Sequence, residues 1–315
     1  MNSSNKWSGV CKSLDKFARI VLLSLLLCAV GPSAGAGAAE PAFEPLATVS
    51  DVELPELSGL AASRRWPGIY WGHNDSGDGP RLFAFNRRGE VIARVEVEGA
   101  EAIDWEDIAL YERDGRSWLA IADTGDNFGF RDTATVYLLP EPALDASRVK
   151  PLRRLDFRYP DGPRDAEGLA VDAEGGSILV VEKGAPQVGF YRLPLDAGPG
   201  VQTAERLATL QLPVPAKQPL AAPLSAPRGR VSVTAMDLSR DGLRLAMISY
   251  SRLFCFDRRP GEGWAEALVR PPRSWPLPKL GGLEAMAIEP DGRSVVVAPE
   301  GVPTPVLRAR RILDP

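Results

Sequence analysis

The sequence predicts an all-β fold, a β-propeller of five four-stranded blades, and three observations carry that expectation. Five short segments rhyme: Glu56-Leu57-Ser58-Gly59-Leu60-Ala61, Asp104-Trp105-Glu106-Asp107-Ile108-Ala109, Asp165-Ala166-Glu167-Gly168-Leu169-Ala170, Ser232-Val233-Thr234-Ala235-Met236-Asp237 and Gly282-Leu283-Glu284-Ala285-Met286-Ala287. Anchored on Ser58, Glu106, Glu167, Thr234 and Glu284, they stand 48, 61, 67 and 50 residues apart. Repeats near that length, each holding several strand-sized runs, are the sequence sign of propeller blades. Finally, no helix-period stretch of useful length follows the N-terminal region, whereas alternating runs broken by turn residues recur throughout.

Residues 1–39 read as a secretory signal peptide. Lys6, Lys12, Lys16 and Arg19 precede an apolar run over 20–30, and Ala34-Gly35-Ala36 and Ala36-Gly37-Ala38 match the small-x-small cleavage pattern. Cleavage near residues 36–39 is expected, leaving a single domain over 40–315 that is periplasmic or secreted. The apolar run has 11 residues, too few to span a bilayer, so no integral membrane segment is expected after cleavage. Cys28 lacks the small preceding residue of a lipidation site, because Leu27 stands there. The mature chain keeps only Cys255, which excludes an internal disulfide and reads as a small buried hydrophobe.

The elements follow in order. Phe43–Val49 is expected to return to the last blade and close the ring, hiding two sheet edges. Blade one takes strands over 59–63, 69–72, 81–86 and 91–97, separated by Trp-Pro-Gly, Asp-Gly-Pro and Arg-Arg-Gly turns. Blade two takes 107–111, 118–122, 135–139 and 154–159, and blade three 168–172, 178–181, 189–193 and 206–212. Blade four takes 235–239, 244–249, 252–257 and 266–270, and blade five 285–289, 294–298 and 306–312. A six-bladed alternative would place a blade within 185–231, but 213–230 is rich in Pro and Ala and reads as an excursion loop.

The formal net charge is −4, and removing the basic leader leaves the mature chain near −7. A modestly acidic surface without a clustered basic face argues against a nucleic-acid partner. The propeller geometry instead concentrates acids. Each anchor begins the innermost strand of its blade, and the antiparallel second strand ends on the same face. Those ends read Gly72-His73-Asn74-Asp75, Asp123-Thr124-Gly125-Asp126-Asn127, Glu182-Lys183, Ser249-Tyr250 and Glu300-Gly301.

One mouth is therefore expected to gather Asp104, Glu106, Asp123, Asp126, Asp165, Glu167, Glu284 and Glu300 as candidate metal ligands. Clustered carboxylates raise one another's pKa unless a cation compensates, and Ca²⁺ accepts roughly six to eight such oxygens. Ca²⁺ is the expected cofactor. Glu106 and Glu167 are the candidate general bases, and Ser58, His73, Asn74, Asp75, Arg131, Lys183 and Tyr250 the candidate ligand contacts. Loop Asp and Asn also serve plain turn chemistry, so the argument rests on recurrence at equivalent positions. His73, the single histidine, excludes a multi-histidine zinc site, and no Gly-x-Ser-x-Gly elbow supports a hydrolase triad. His73 reads first as a strand-end hydrogen-bonder. Lys183 and Arg131 read as charge balance or as contacts to an anionic group.

Several strings resemble a family of bacterial exported propellers. They are Glu56-Leu-Ser-Gly-Leu-Ala, His73-Asn-Asp-Ser-Gly, Asp104-Trp-Glu-Asp-Ile-Ala, Asp123-Thr-Gly-Asp-Asn, Asp165-Ala-Glu-Gly-Leu, Val233-Thr-Ala-Met-Asp-Leu-Ser-Arg-Asp-Gly and Leu283-Glu-Ala-Met-Ala with Glu300-Gly. The family is grouped with the "esterase-like activity of phytase" domains, near the SdiA-regulated propellers, and the resemblance spans the mature chain. It implies a calcium-dependent, phosphoester-directed activity. Where the family pattern has an Arg-Thr-Tyr string, this chain has Ile248-Ser249-Tyr250, and the missing arginine counts against a phosphate site.

Three functions follow: a propeller binding Ca²⁺ and a small or anionic ligand, a metal-dependent hydrolase of phosphoesters, esters or lactones, and a protein-interaction scaffold.

Overall fold

The computed structural model describes residues 42–184, 187–213 and 232–315. The expected signal segment and nearly all of the excursion loop lie outside them. The described chain begins with β1 (Phe43–Val49), followed by blade one: β2 (Leu57–Ala62), β3 (Ile69–Asn74), β4 (Arg81–Asn86) and β5 (Val91–Val97). Blade two comprises β6 (Trp105–Arg113), β7 (Arg116–Asp123), β8 (Ala134–Pro140) and β10 (Arg153–Arg158), with a short β9 (Arg148–Val149) on the way. Blade three comprises β11 (Ala166–Asp172), β12 (Ser177–Glu182), β13 (Val188–Pro194) and β15 (Glu205–Leu210), with β14 (Gln202–Thr203) between the last two. Blade four is β16 (Val233–Leu238), β17 (Arg244–Ser249), β18 (Arg252–Asp257) and β19 (Arg273–Pro276), interrupted by the one-turn helix α1 (Trp264–Ala267). Blade five is β20 (Leu283–Ile288), β21 (Val295–Pro299) and β22 (Thr304–Ala309).

Each blade is an antiparallel meander with its first strand innermost, and β1 completes blade five by pairing antiparallel with β22, Phe43 opposite Ala309 and Val49 opposite Thr304. The five inner strands β2, β6, β11, β16 and β20 touch in sequence, and β20 touches β2 again. The ring is thereby closed at five. Direct contact of β11 with β16 leaves no place for a sixth blade between them.

Apolar side chains from facing blades fill five separate wedges, one per blade junction. The first wedge holds Trp71, Trp105 and Tyr137, and the last holds Tyr70, Phe83 and Phe85. Fully burying side chains of this size contributes about 1.5–3 kcal/mol each, so junctions rather than single blades carry the core. The Trp71 and Trp105 indole N–H groups are satisfied by the Glu141 carboxylate at 3.0 Å and the Glu101 carbonyl at 2.8 Å. Cys255 is fully buried in the wedge between blades four and five, as a small hydrophobe should be.

Two features depart from the sequence reading. The fourth strand of blade four is β19, not 266–270. Trp264, Ala267 and Leu268 recur at helical spacing and are buried together against blades three and four, so that segment winds a helical turn. The sequence reading also omitted β9 and β14. β9 runs parallel to β5 and β14 parallel to β10, so blades two and three each lend a fifth short strand to the preceding blade's outer edge. Among the described residues no helix is long and apolar enough to cross a membrane.

Candidate metal centre

The anchors share a backbone device. Each inner strand slips register against its neighbour at the anchor: between Leu57 and Gly59, Trp105 and Asp107, Ala166 and Gly168, Val233 and Ala235, and Leu283 and Ala285. Ser58, Glu106, Glu167, Thr234 and Glu284 are thus five equivalent bulged residues. An extra residue in one strand breaks the pleat alternation and re-aims a side chain. In two blades the bulged hydroxyl bonds sideways to the next blade: Ser58 Oγ donates to the Glu106 carbonyl at 2.7 Å, and Thr234 Oγ1 to the Leu283 carbonyl at 2.8 Å. In the other three the bulge carries a glutamate into a shared acidic cluster.

That cluster consists of three overlapping groups: Asp75 with Glu284 and Glu300, Asp75 with Asp104 and Glu106, and Glu106 with Asp165 and Glu167. Within each group one oxygen per residue lies within 4.8 Å of the others. Asp75 and Glu106 belong to two groups each, so seven carboxylates form one continuous arc across blades one, two, three and five. Glu106 and Glu167 are buried, at 2% and 1% exposure, while the remaining five are partly open. Gly125 lies against the arc. A Cβ there would stand 2.1 Å from Glu106 Oε1 and 2.4 Å from Asp104 Oδ2, so only glycine lets this turn close over both acids.

The electrostatics are unbalanced. Burial, followed by the Glu167 and Asp75 charges, pushes the Glu106 carboxyl well above the usual carboxylate range. Burial also raises Glu167, against the opposing pull of Lys183. Asp104 is pushed up to about 6 by burial and by Asp75 and Asp165, and Glu300 to about 8 by burial and Glu284. The Lys183 ammonium contacts Glu167 and lies 3.9 Å from Asp165 Oδ2, and the Tyr250 hydroxyl donates to Glu284 at 2.8 Å. No hydrogen bond or ion pair among the described residues reaches the Glu106 carboxylate, although it is nearly inaccessible to water.

Several expected site residues are occupied elsewhere. Asp123 is fully buried and holds Arg131, Nη1 to Oδ1 at 2.9 Å, while the same oxygen accepts the Asp104 N–H at 3.1 Å. Asp126 accepts the Phe130 and Arg131 N–H groups at 2.8 and 3.0 Å, capping its own turn. Arg131 also donates to the carbonyls of Gly125 and Asp123. These three residues brace the turn beneath the arc and are absent from its oxygen groups. Asn74 staples loops, donating to Glu53 and Asp78 and accepting from the Glu56 N–H. His73 is wholly buried edge-on to Trp105, 5.5 Å between ring centres, with Nδ1 2.9 Å from the Asn74 carbonyl. Burial lowers its pKa, so it sits in the wall as a neutral ring rather than in the mouth.

Two carboxylates escaped the sequence reading. Asp107 is fully buried on the ring axis, where Oδ2 accepts the Leu169 N–H at 2.8 Å and the Met236 N–H at 3.0 Å, and Oδ1 its neighbour Ile108 at 2.9 Å. Asp237 likewise accepts the N–H groups of Ile288 and Leu238 at 2.8 and 2.7 Å. Inner strands have one unpaired edge, and these acids satisfy it. The available signal was an acid inside an otherwise apolar inner-strand run, in Glu106-Asp107-Ile108 and Met236-Asp237-Leu238.

Fold and site together define a five-bladed β-propeller whose ring opens at one end on an arc of carboxylates. No family model matches the chain, and no curated protein matches it. Among solved structures it is similar to Kuenenia stuttgartiensis hydrazine synthase, at 14% identity over 82% of this chain and 72% of that one, with a TM-score of 0.41. A likeness that distant carries no argument about function.

Proposed function

We propose that this protein is an exported propeller that binds a divalent cation, Ca²⁺, at the acidic mouth and holds a small or anionic ligand against it. One observation carries the reading: seven carboxylates in continuous oxygen groups, with one lysine in contact and Glu106 buried with no hydrogen-bond donor among the described residues. A buried carboxylate without a partner is costly, and a hard cation with oxygen-only ligands is the simplest partner. The donor set contains no histidine or thiolate, which favours Ca²⁺ or Mg²⁺ over zinc or copper. Asp75, Asp104, Glu106, Asp165, Glu167, Glu284 and Glu300 would hold it. Tyr250 and Lys183 flank the opening as ligand contacts.

Thermal melting in EDTA, followed by titration with Ca²⁺ or Mg²⁺, tests this reading. A cation that binds only the folded form raises the midpoint with concentration, by about 2.7 kcal/mol of stability at a hundredfold excess over Kd. Glu106→Gln and Glu167→Gln are expected to abolish that rise and leave the fold intact. A midpoint indifferent to every divalent ion would end the proposal and favour a scaffold role.

The raised carboxyls of Glu106 and Glu167 favour a second reading, a hydrolase of phosphoesters, esters or lactones. One of them would accept the proton of the attacking water, the cation supplying charge stabilisation. EDTA-sensitive turnover of such substrates supports it, and a silent panel at saturating Ca²⁺ dismisses it. Export is tested by sequencing the N-terminus of protein recovered from a bacterial periplasm, where a start near residues 37–40 is expected.

A further inference from the structure

The three oxygen groups of the arc differ in what already faces them. The group of Glu106, Asp165 and Glu167 has a cation of its own, since the Lys183 ammonium contacts Glu167 and stands 3.9 Å from Asp165 Oδ2. Lys183 directly follows β12, and its backbone is held on both sides. Its N–H donates to the Asp165 carbonyl at 2.9 Å, and its carbonyl accepts the Val233 N–H of blade four. The chain therefore delivers the ammonium to this one group.

The other two groups hold no such charge. Among the described residues no lysine or arginine nitrogen comes within ion-pairing distance of Asp75, Asp104, Glu106, Glu284 or Glu300, and Arg131, beneath the arc, is taken by Asp123. In the group of Asp75, Glu284 and Glu300, the Tyr250 hydroxyl donates to Glu284 at 2.8 Å and the Ser76 N–H to Asp75 at 2.6 Å. In the group of Asp75, Asp104 and Glu106, Glu106 is 2% exposed and no described donor reaches its carboxylate or that of Asp104. Asp75 belongs to both groups, and a carboxylate shared by two groups can bridge two hard cations through its pair of oxygens. When all seven acids are ionised, one divalent cation and the ammonium offset three charges, whereas two cations and the ammonium offset five.

We propose that the arc is a two-cation centre in which Lys183 takes the place of a third metal. One Ca²⁺ is held by Asp75, Glu284 and Glu300, the other by Asp75, Asp104 and Glu106, and the ammonium serves Glu106, Asp165 and Glu167. This rests on the mouth being a Ca²⁺ site and adds its stoichiometry and the role of Lys183. Replacing the lysine by a neutral side chain removes the repulsion that keeps metal from the third group.

Counting Ca²⁺ tests it, by calorimetric titration of EDTA-stripped, dialysed protein and by native mass spectrometry. Two Ca²⁺ per chain are expected in the wild type, three in Lys183→Met and two in Lys183→Arg, which keeps the charge. Asp75→Asn alters a partly exposed side chain and should weaken both sites by about tenfold or more. A wild-type chain that binds no Ca²⁺ would end the reading of the mouth itself, and this inference with it. Any other wild-type count than two would leave the mouth a Ca²⁺ site and overturn the two-cation centre. A count of two in Lys183→Met that melts as a folded protein, or loss of a single site in Asp75→Asn, would overturn the parts assigned to those residues.

Discussion

A carboxylate shut away from water persists only where donors surround it, and Asp107 meets that condition with backbone N–H groups from its own blade and from blades three and four. Asp107→Ala would leave three buried donors unmet, so a loss of roughly 3 kcal/mol or more is expected in urea unfolding. Asp107→Asn keeps an acceptor for Leu169 and Met236 but turns a donor toward Ile108, and should fall between. A wild-type midpoint in Asp107→Ala would show that the axial bonds contribute nothing. At the mouth, Gly125→Ala is expected to displace the Glu106 and Asp104 carboxylates and weaken Ca²⁺ by about tenfold, with little change in melting in EDTA. Glu106, Glu167 and Glu284 could be recognised in the sequence because recurrence marked them. Asp123 and Asp126 could not be told from them, because the fold of one turn decides whether a loop acid faces a shared pocket or its own backbone.

At the scale of elements, the repeated bulge is what makes five ordinary strands into a site. It moves the anchor out of the ladder at one equivalent place in each blade, and the residue chosen there decides between an inter-blade bond and an acidic oxygen. Alternation and turn residues locate nearly every strand, because a half-buried strand must alternate. The short β9 and β14 carry no such pattern, since two residues pairing at an outer edge bury almost nothing. β1 does more. It covers the β22 edge and buries Val49 in the wedge between blades five and one. Removing residues 1–50 is therefore expected to lower the melting temperature by roughly 10 °C or more and to promote association through the opened edge. Calorimetry and size-exclusion chromatography measure both, and a stable monomer would show that closure does not depend on β1.

For the whole molecule, the arc of acids sets the pH dependence. Asp104, near 6, and Glu300, near 8, bind protons in the folded state more tightly than an unfolded chain does, as do the buried Glu106 and Glu167. The folded form thus holds more protons above the ordinary carboxylate range, and stability falls as pH rises from about 4 to about 8. Melting temperatures in EDTA should decline across that window. Saturating Ca²⁺ should flatten the decline, because the cation prefers the ionised carboxylates and binds more tightly as they lose protons. A midpoint in EDTA that rises with pH would contradict the assigned burial of these groups.

The sequence by itself determined the blade repeat, the inner-strand anchors, the return of Phe43–Val49 to the last blade and the gathering of acids at one mouth. Each of these follows from periodicity and from the antiparallel return of neighbouring strands. Only the tertiary structure decided that five inner strands close the ring, that Asp123, Asp126 and Arg131 brace a turn, and that His73 is walled in. It also brought Asp107 to the amides of blades three and four. The physical reason is common to all of these. Partnership of a buried polar group is a matter of distance across blades far apart in the chain, and no local pattern records it.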